Sequence, residues 1–365
     1  MSSSCELATG MSDAQYWKGF SSKIENQRIP ISGGLALTHR CNLGCIHCYA
    51  KEEPLQKDMA RPELGTGQWK KIIAEIKDAG CLYLLLTGGE PLLREDFGEI
   101  YAFAKHNGFL VTLFTNGTLL TAETAALLRQ LPPSLVEISL YGASAKTHDR
   151  VTGVPGSFDR ARHGIETLIA QGTNVGLKSV LMTLNLDEFP AIENLAHAYG
   201  VKFRLDAAIF PTLAGDCRPV DLRVSPEQAV ALEFSDPARV REWHEFLGRF
   251  RCLPGGESLY ACGAGKTTFH IDPQGWLYPC LMVRAHKYSL LGGSFRAGWE
   301  GDVSRIREKT AGKDFPCRHC EQKLLCGYCP GFFDLENDRQ QVQSAYLCAV
   351  GRLRHEYITQ ESFGE

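Results

Sequence analysis

Six apolar runs dominate the first two thirds of the chain, at 34–40, 82–88, 110–116, 135–142, 174–182 and 201–209. They are rich in Leu, Val, Ile and Phe, and several are apolar throughout, as strands buried on both faces are. Helical spacing fills the gaps between them. Trp69, Ile72, Ile73 and Ile76 form one such stripe, and Phe97, Ile100, Tyr101, Phe103 and Ala104 another. Segments 121–131, 158–171 and 188–199 complete the set, the first opening on Thr121 with Thr124 where a capping box would place Glu. Strands that alternate with helices predict a parallel α/β sheet with right-handed crossovers. Periodicity alone leaves a doubly wound sheet and a barrel both open. Residues 1–33 read as an arm or short helix, and 225–250 as a long helix broken near Ser235-Asp236-Pro237. Beyond 251 the segments shorten, and Asp272-Pro273-Gln274-Gly275 forms a turn between short strands at 268–271 and 276–279. A domain boundary is expected near residue 250.

A length of 365 residues suggests about two domains. The 44% apolar and 22% charged fractions are globular values and exclude disordered and collagen-like chains. A net charge of −3 gives no electrostatic reason to expect nucleic acid or an anionic membrane as partner. The longest apolar stretch, 82–86, is far too short to span a bilayer. Residues 1–10 lack a basic-then-apolar export signal, so a cytoplasmic protein is expected. In that compartment thiols stay reduced, and 14 cysteines point to metal rather than disulfides. Three lie between Cys41 and Cys48 and eight between Cys252 and Cys348. Cys5, Cys81 and Cys217 stand alone and read as small buried apolar residues.

The first group lies in Thr38-His39-Arg40-Cys41-Asn42-Leu43-Gly44-Cys45-Ile46-His47-Cys48-Tyr49, a C-x3-C-x2-C spacing just after the first strand. Three thiolates can hold three irons of a [4Fe–4S] cube and leave the fourth iron open. Zinc with His47 as fourth ligand competes, although His47 is crowded between two ligand cysteines. The motif resembles that of the radical S-adenosylmethionine (SAM) superfamily, and later strand ends strengthen the likeness. Thr87-Gly88-Gly89-Glu90-Pro91 matches the family's GGEP motif after the second strand. Thr115-Asn116-Gly117-Thr118, Ser139-Leu140-Tyr141-Gly142 and Thr183-Leu184-Asn185 follow the third, fourth and fifth, and the sixth carries Arg204 and Asp206. The resemblance covers about residues 34–210 and implies a partial (β/α)6 barrel with cluster and SAM at the C-terminal strand ends. It implies Cys41, Cys45 and Cys48 as cluster ligands. It also implies Gly88, Gly89, Glu90, Pro91, Asn116, Ser139, Arg150, Asn185 and Arg204 around SAM, the glycine backbone holding the methionine amino group. It names no catalytic acid or base.

The second group reads C-x12-G-x4-C, then C-x2-C-x5-C-x2-C, then a last C, from Cys262, Gly275 and Cys280 to Cys348. On spacing alone, Cys317, Cys320, Cys326 and Cys329 could form a zinc ribbon. The longer pattern resembles the cysteine-rich SPASM domain that follows the barrel in many radical SAM maturases. It departs from that family in one spacing, C-x2-C between Cys326 and Cys329 where C-x3-C is usual. The resemblance implies two auxiliary [4Fe–4S] clusters with interleaved ligands. One would use Cys262, Cys280 and Cys329 with Cys252 as fourth, the other Cys317, Cys320, Cys326 and Cys348. Three clusters then take 11 of the 14 cysteines. The implied division is an arm at 1–33, the barrel at 34–210, a helical linker at 211–251 and the auxiliary-cluster domain at 252–365.

In this family one electron from the first cluster cleaves SAM to a 5′-deoxyadenosyl radical, which abstracts hydrogen from an unactivated C–H bond. Residues 138–158 look like those of SPASM proteins that act on ribosomally made peptides, so a precursor peptide is the expected substrate. Some 30 residues before the first strand are too few for a fused recognition domain, so a separate PqqD-like protein is expected, with a flavodoxin or ferredoxin type reductant. Oxidation or rearrangement of a small molecule in cofactor or antibiotic biosynthesis is the alternative enzyme class, and a zinc-stabilised binding protein the non-enzymatic one. Sulfatase-maturing SPASM enzymes carry a proton-accepting Asp where this chain has Leu281, so formylglycine formation is not expected, although Asp206 could substitute.

Overall fold

The computed structural model describes residues 13–51, 62–249 and 257–361. Six strands, β1 (Ser32–Ala36), β2 (Tyr83–Thr87), β3 (Leu110–Thr115), β4 (Leu135–Ser139), β5 (Val175–Val180) and β6 (Lys202–Asp206), lie side by side in chain order. Every neighbouring pair among them is parallel. Helices α2 (Thr66–Asp78), α3 (Phe97–His106), α4 (Ala122–Gln130), α6 (Ser157–Ala170) and α7 (Phe189–Ala198) form the crossovers. A doubly wound sheet reverses its strand order partway. Here the order never reverses, so right-handed crossovers return each helix to the same face. The choice that periodicity left open falls to a singly wound partial (β/α)6 barrel.

The period-2 alternation of the strands sorts their side chains. Leu84, Leu86, Val111, Leu113, Val136, Ile138 and Leu177 join Trp69, Ile73 and Ile76 of α2 and Ile165 and Leu168 of α6 in one buried core. Phe114, Glu137, Lys178 and Arg204 meet on the opposite, inner face. That face is charged, where wholly apolar strands were expected.

The described part of the N-terminal arm contains α1 (Asp13–Asn26). The helix expected at 225–250 is two, α8 (Pro226–Glu233) and α9 (Pro237–Arg249), broken where Pro237 removes a backbone donor. A further helix, α5 (Ala145–Thr152), follows β4. The sheet then continues past the barrel. β7 (Thr268–Ile271) pairs parallel with β1, β8 (Trp276–Tyr278) pairs antiparallel with β7, and β9 (Tyr288–Ser289) closes a nine-stranded order β6-β5-β4-β3-β2-β1-β7-β8-β9. α10 (Phe295–Glu300), α11 (Pro330–Asn337) and α12 (Ala345–Glu361) complete the C-terminal part. Leu259, Tyr260, Val283, Ile306, Phe315, Phe332, Phe333 and Leu347 form a second, smaller core beneath the late cysteines.

The β1–β7 seam depends on one missing side chain. A Cβ on Gly33 would lie 2.0 Å from the Phe269 ring, which is itself fixed against Phe295 and Trp299 at centroid distances of 4.8 and 6.2 Å. Gly33→Ala should therefore lower stability by about 1–3 kcal/mol through overpacking. Gly19→Ala, at an exposed position of α1 where nothing stands within 4 Å, should be neutral or mildly stabilising. Chemical denaturation of the two variants beside the parent checks the contrast.

Candidate functional site

The first cysteine loop leaves the top of β1 and is gripped from both sides. On one side is the end of β2. Leu37 N–H still donates to Thr87 O at 2.8 Å, then Gly89 N–H to Thr38 O at 2.7 Å and Glu90 N–H to Arg40 O at 2.8 Å. A Cβ on Gly88 would lie 2.4 Å from Thr38 O, and one on Gly89 2.3 Å from Arg40 O. Gly88 also has φ +142°, which an L side chain rarely adopts. Glycine is thus required here by backbone meeting backbone, whatever binds above it, and a valine at 89 would displace the loop itself.

Glu90 is fully buried and ties this corner to β3. Its carboxylate accepts from Leu92 N–H, Thr115 Oγ1 and Asn116 N–H at 3.1, 2.7 and 2.7 Å. Burial pushes its pKa up to about 7, against the pull of those donors. Pro91 opens a short turn, Pro91–Leu93. Asn116 donates to Asn42 Oδ1 at 2.9 Å and stands 3.9 Å from the Cys41 sulfur.

On the other side α5 grips the loop. Gly44 N–H donates to Thr152 O at 2.7 Å and Ile46 N–H to Val151 O at 3.0 Å. Glu188 holds the start of α5 by accepting from Ala143 N–H, Ser144 N–H and the Ser144 and Thr147 hydroxyls. Asp149 holds its far end through Gly156 N–H, Phe158 N–H and Ser157 Oγ. This grip was missed in the sequence, although its signals are there. Ser144 is an N-cap that accepts from Thr147 N–H, and Gly153 is a left-handed C-cap.

The three thiols stand together in the gripped loop. Burial and the charges of Cys48 and Cys41 push Cys45 up to about 12, and burial also raises Cys41 and Cys48. Thiols that act on one another's charge ionise together only when a cation compensates them, which suits this donor set to iron. The His47 ring packs edge-on to Tyr141 at 4.5 Å. Ser139 ends β4 and is buried, as is Tyr141 two residues on.

The remaining expected SAM residues differ in availability. Arg150 is exposed on α5. Asn185 uses both amide N–H groups on Tyr141 O and Val180 O and accepts from Met182 N–H, so it buckles the ends of β4 and β5 together. Arg204 donates to Glu137 Oε2 at 2.6 Å. Lys178, in register between Ser139 and Arg204, lies 3.6 Å over the Phe114 ring and 4.0 Å from Glu137. Burial lowers the Lys178 pKa to about 8.

The late cysteines fall into two groups. Cys317, Cys320, Cys326 and Cys348 line one cavity of about 320 Å³ with Phe333, Leu347 and Arg352. Cys280 and Cys329 do not line that cavity; both pack on the second core, to which Cys317 also belongs, and the charges of Cys262 and Cys329 both act on Cys280. A zinc ribbon would need Cys329 with Cys317, Cys320 and Cys326, and Cys329 is not among the residues that line their cavity. Cys252 lies outside the described residues, as does Cys5. Among the described residues all cysteines are free thiols, and no three His, Cys, Asp or Glu side chains are close enough to hold a single ion, so iron content must decide loading. Cys81 is buried as expected, whereas Cys217 is exposed at the head of the turn Arg218–Leu222. Among the described residues no helix is long and apolar enough to cross a membrane.

Residues 35–196 match the family model for the radical SAM superfamily. The mycofactocin maturase MftC of Mycobacterium tuberculosis is 34% identical over 312 residues, covering 80% of this chain and 76% of the relative. The AdoMet-dependent heme synthase of Methanosarcina barkeri is 36% identical over 316 residues, covering 80% of this chain and 89% of the relative. Among solved structures, Streptococcus suis SuiB bound to its precursor peptide SuiA shares the fold with a TM-score of 0.68 at 16% identity, over 95% of this chain and 84% of that one.

The grip of α5 makes the loop sensitive to acid. His148 is buried, and its Nδ1 accepts from Tyr141 N–H at 3.1 Å. Burial lowers its pKa from 6.5 to about 4. Between these values the unfolded chain binds a proton that the folded chain refuses, so this group's contribution to stability falls as pH drops from 6.5 to 4. His148→Gln keeps an acceptor and cannot titrate. Urea unfolding across that window should show the parent losing more stability than the variant.

Proposed function

This chain belongs to the radical SAM superfamily, and from that footing we propose that it is a maturase that modifies a ribosomally made precursor peptide by C–H activation. The observation that carries this reading is the loop of Cys41, Cys45 and Cys48, clamped between the glycines of β2 and α5 at the C-terminal end of the barrel. Two comparisons support the peptide as substrate: a relative named as a maturase, and a fold neighbour solved with its precursor peptide. The heme synthase relative supports a second reading, in which the same barrel oxidises a small molecule.

In this reading Cys41, Cys45 and Cys48 hold a [4Fe–4S] cluster, and Gly88, Gly89, Glu90, Asn116, Ser139, Arg150 and Arg204 surround SAM. Bound together, cluster and SAM supply a 5′-deoxyadenosyl radical when one electron arrives. The chain's own residues do the rest. The β2 corner and α5 fix the loop, the closed helical layer excludes water from one side, and Lys178 Nζ can release or take a proton on the inner face near neutral pH. Cys262, Cys280 and Cys329, with Cys252, hold one auxiliary [4Fe–4S] cluster, and Cys317, Cys320, Cys326 and Cys348 the other. Residues 34–210 serve as the radical-forming unit, 211–251 as linker and 252–365 as the auxiliary unit, with 1–33 as an arm. A separate PqqD-like protein delivers the peptide, a flavodoxin or ferredoxin supplies electrons, and the reaction takes place in the cytoplasm.

Reconstituted anaerobically, the chain should bind about 12 irons. Replacing Cys41, Cys45 and Cys48 together by Ala should leave about eight and abolish 5′-deoxyadenosine. A triple variant that still cleaves SAM overturns the assignment. Mass spectrometry of a short peptide encoded beside the gene, after incubation with SAM and reductant, reads the modification. An unchanged peptide and an altered tetrapyrrole would favour the second reading.

Cys280-Leu281-Met282 offers no proton acceptor beside the auxiliary site, and Met282 Sδ lies 3.8 Å from the Cys329 sulfur. Asp206, the possible substitute, is exposed and accepts from Ala208 N–H. A sulfatase-motif peptide should therefore gain no formylglycine, and a product lighter by two hydrogens would contradict this.

A further inference from the structure

We propose that the Tyr260 hydroxyl donates a hydrogen bond to the auxiliary cluster held by Cys262, Cys280 and Cys329, and so raises that cluster's reduction potential. The inference rests on the auxiliary-cluster reading above and deepens it. Tyr260 is 1% exposed, yet its hydroxyl is buried with no hydrogen-bond partner among the described residues. A buried phenol almost always finds a partner, because a buried donor left unmade loses its hydrogen bond to water and gains nothing in return.

The surroundings say where the partner belongs. Tyr260 is part of the second core, and Cys280 and Cys329 pack directly against that core. The charges of Cys280, Asp334, Cys329 and Cys262 all reach the phenol. Two other polar groups nearby make hydrogen bonds elsewhere and none to Tyr260. Tyr328, which also lies beside these cysteines, donates to Leu259 O at 2.8 Å. The Asp334 carboxylate accepts from Gln340 Nε2 at 3.0 Å. Among the described residues the Tyr260 hydroxyl therefore stands as a buried donor without a partner, near the three sulfurs that would hold the proposed cluster.

The chemistry follows from charge. Reduction adds one electron to the cluster and makes its sulfurs better acceptors. A hydroxyl that donates to them would stabilise the reduced form more than the oxidised one and so move the potential upward.

The test uses the full chain, reconstituted with iron and sulfide, with Tyr260→Phe and Tyr328→Phe compared with the parent. Iron per chain is counted, and each cluster is titrated by electron paramagnetic resonance. The expected result is unchanged iron, a negative shift of one cluster's potential in Tyr260→Phe alone, and no shift in Tyr328→Phe. Unfolding of the metal-free protein gives an independent reading. Phe at 260 should leave it as stable as the parent or more so, because the hydroxyl has no protein partner to lose. Full iron with every potential unmoved overturns the proposal, and so does a metal-free variant that unfolds more readily. A parent chain that binds only four irons overturns the auxiliary clusters themselves, and the proposal with them.

Discussion

The close approach of two backbones at the top of the barrel determines what the rest of the chain can do. Gly88 and Gly89 lie so near Thr38–Arg40 that no Cβ fits between them. Hydrogen bonds from Gly89 N–H and Glu90 N–H hold the two segments in that position. Since Cys41 follows Arg40 directly, the geometry of the loop is inherited from the β1–β2 pairing rather than made by the loop. α5 then fixes the far side through Gly44 and Ile46, so the sulfurs sit on a frame that is rigid before anything binds. The family's GGEP motif thus has a scaffold reason as well as any ligand reason.

Charge burial runs through the same region with consistent sign. Thiols, the Glu90 carboxyl and the Lys178 ammonium are all pushed toward their neutral forms, desolvation being the largest cause for each. A site with that bias favours a ligand that brings compensating charge. Iron does so for the sulfurs, and a cationic amino group would do so for Glu90. Lys178 has a partial answer in Glu137, which Arg204 shares, and in the face of Phe114. The inner face is therefore polarised but not neutralised.

Much of this was legible in the chain. Runs such as 82–88 and 110–116 announced β2 and β3, because their outward residues bury in one helical layer and carry the apolar signal. Strand order was not legible, since periodicity records which face a residue occupies and not which neighbour it meets. α5 was overlooked because its hydrophobic residues are few, although Ser144 and Gly153 mark its ends. The β1–β7 pairing left only an indirect trace. β7 is four residues long, and its place is granted by Gly33, whose missing side chain admits Phe269. The partition of the late cysteines came from family resemblance alone, and the fold gathers Cys317, Cys320, Cys326 and Cys348 around one cavity.

That short pairing has a larger consequence than its length suggests. The turn after β7 reaches back to the first loop: Gln274 Oε1 meets His39 Nε2 at 2.7 Å, and Pro273 O accepts from Leu64 N–H at 2.7 Å. Asp272 holds the turn rigid by accepting from Gln274 N–H, Trp276 N–H and the Tyr278 hydroxyl. His39 stands two residues before Cys41, and Tyr278 two residues before Cys280. The two cysteine-bearing segments are thus joined through adjacent strands and one buried turn, not through the long helical connection between them. Distance between the first cysteine loop and the segment of Cys280 is then set by sheet spacing, which is stiff.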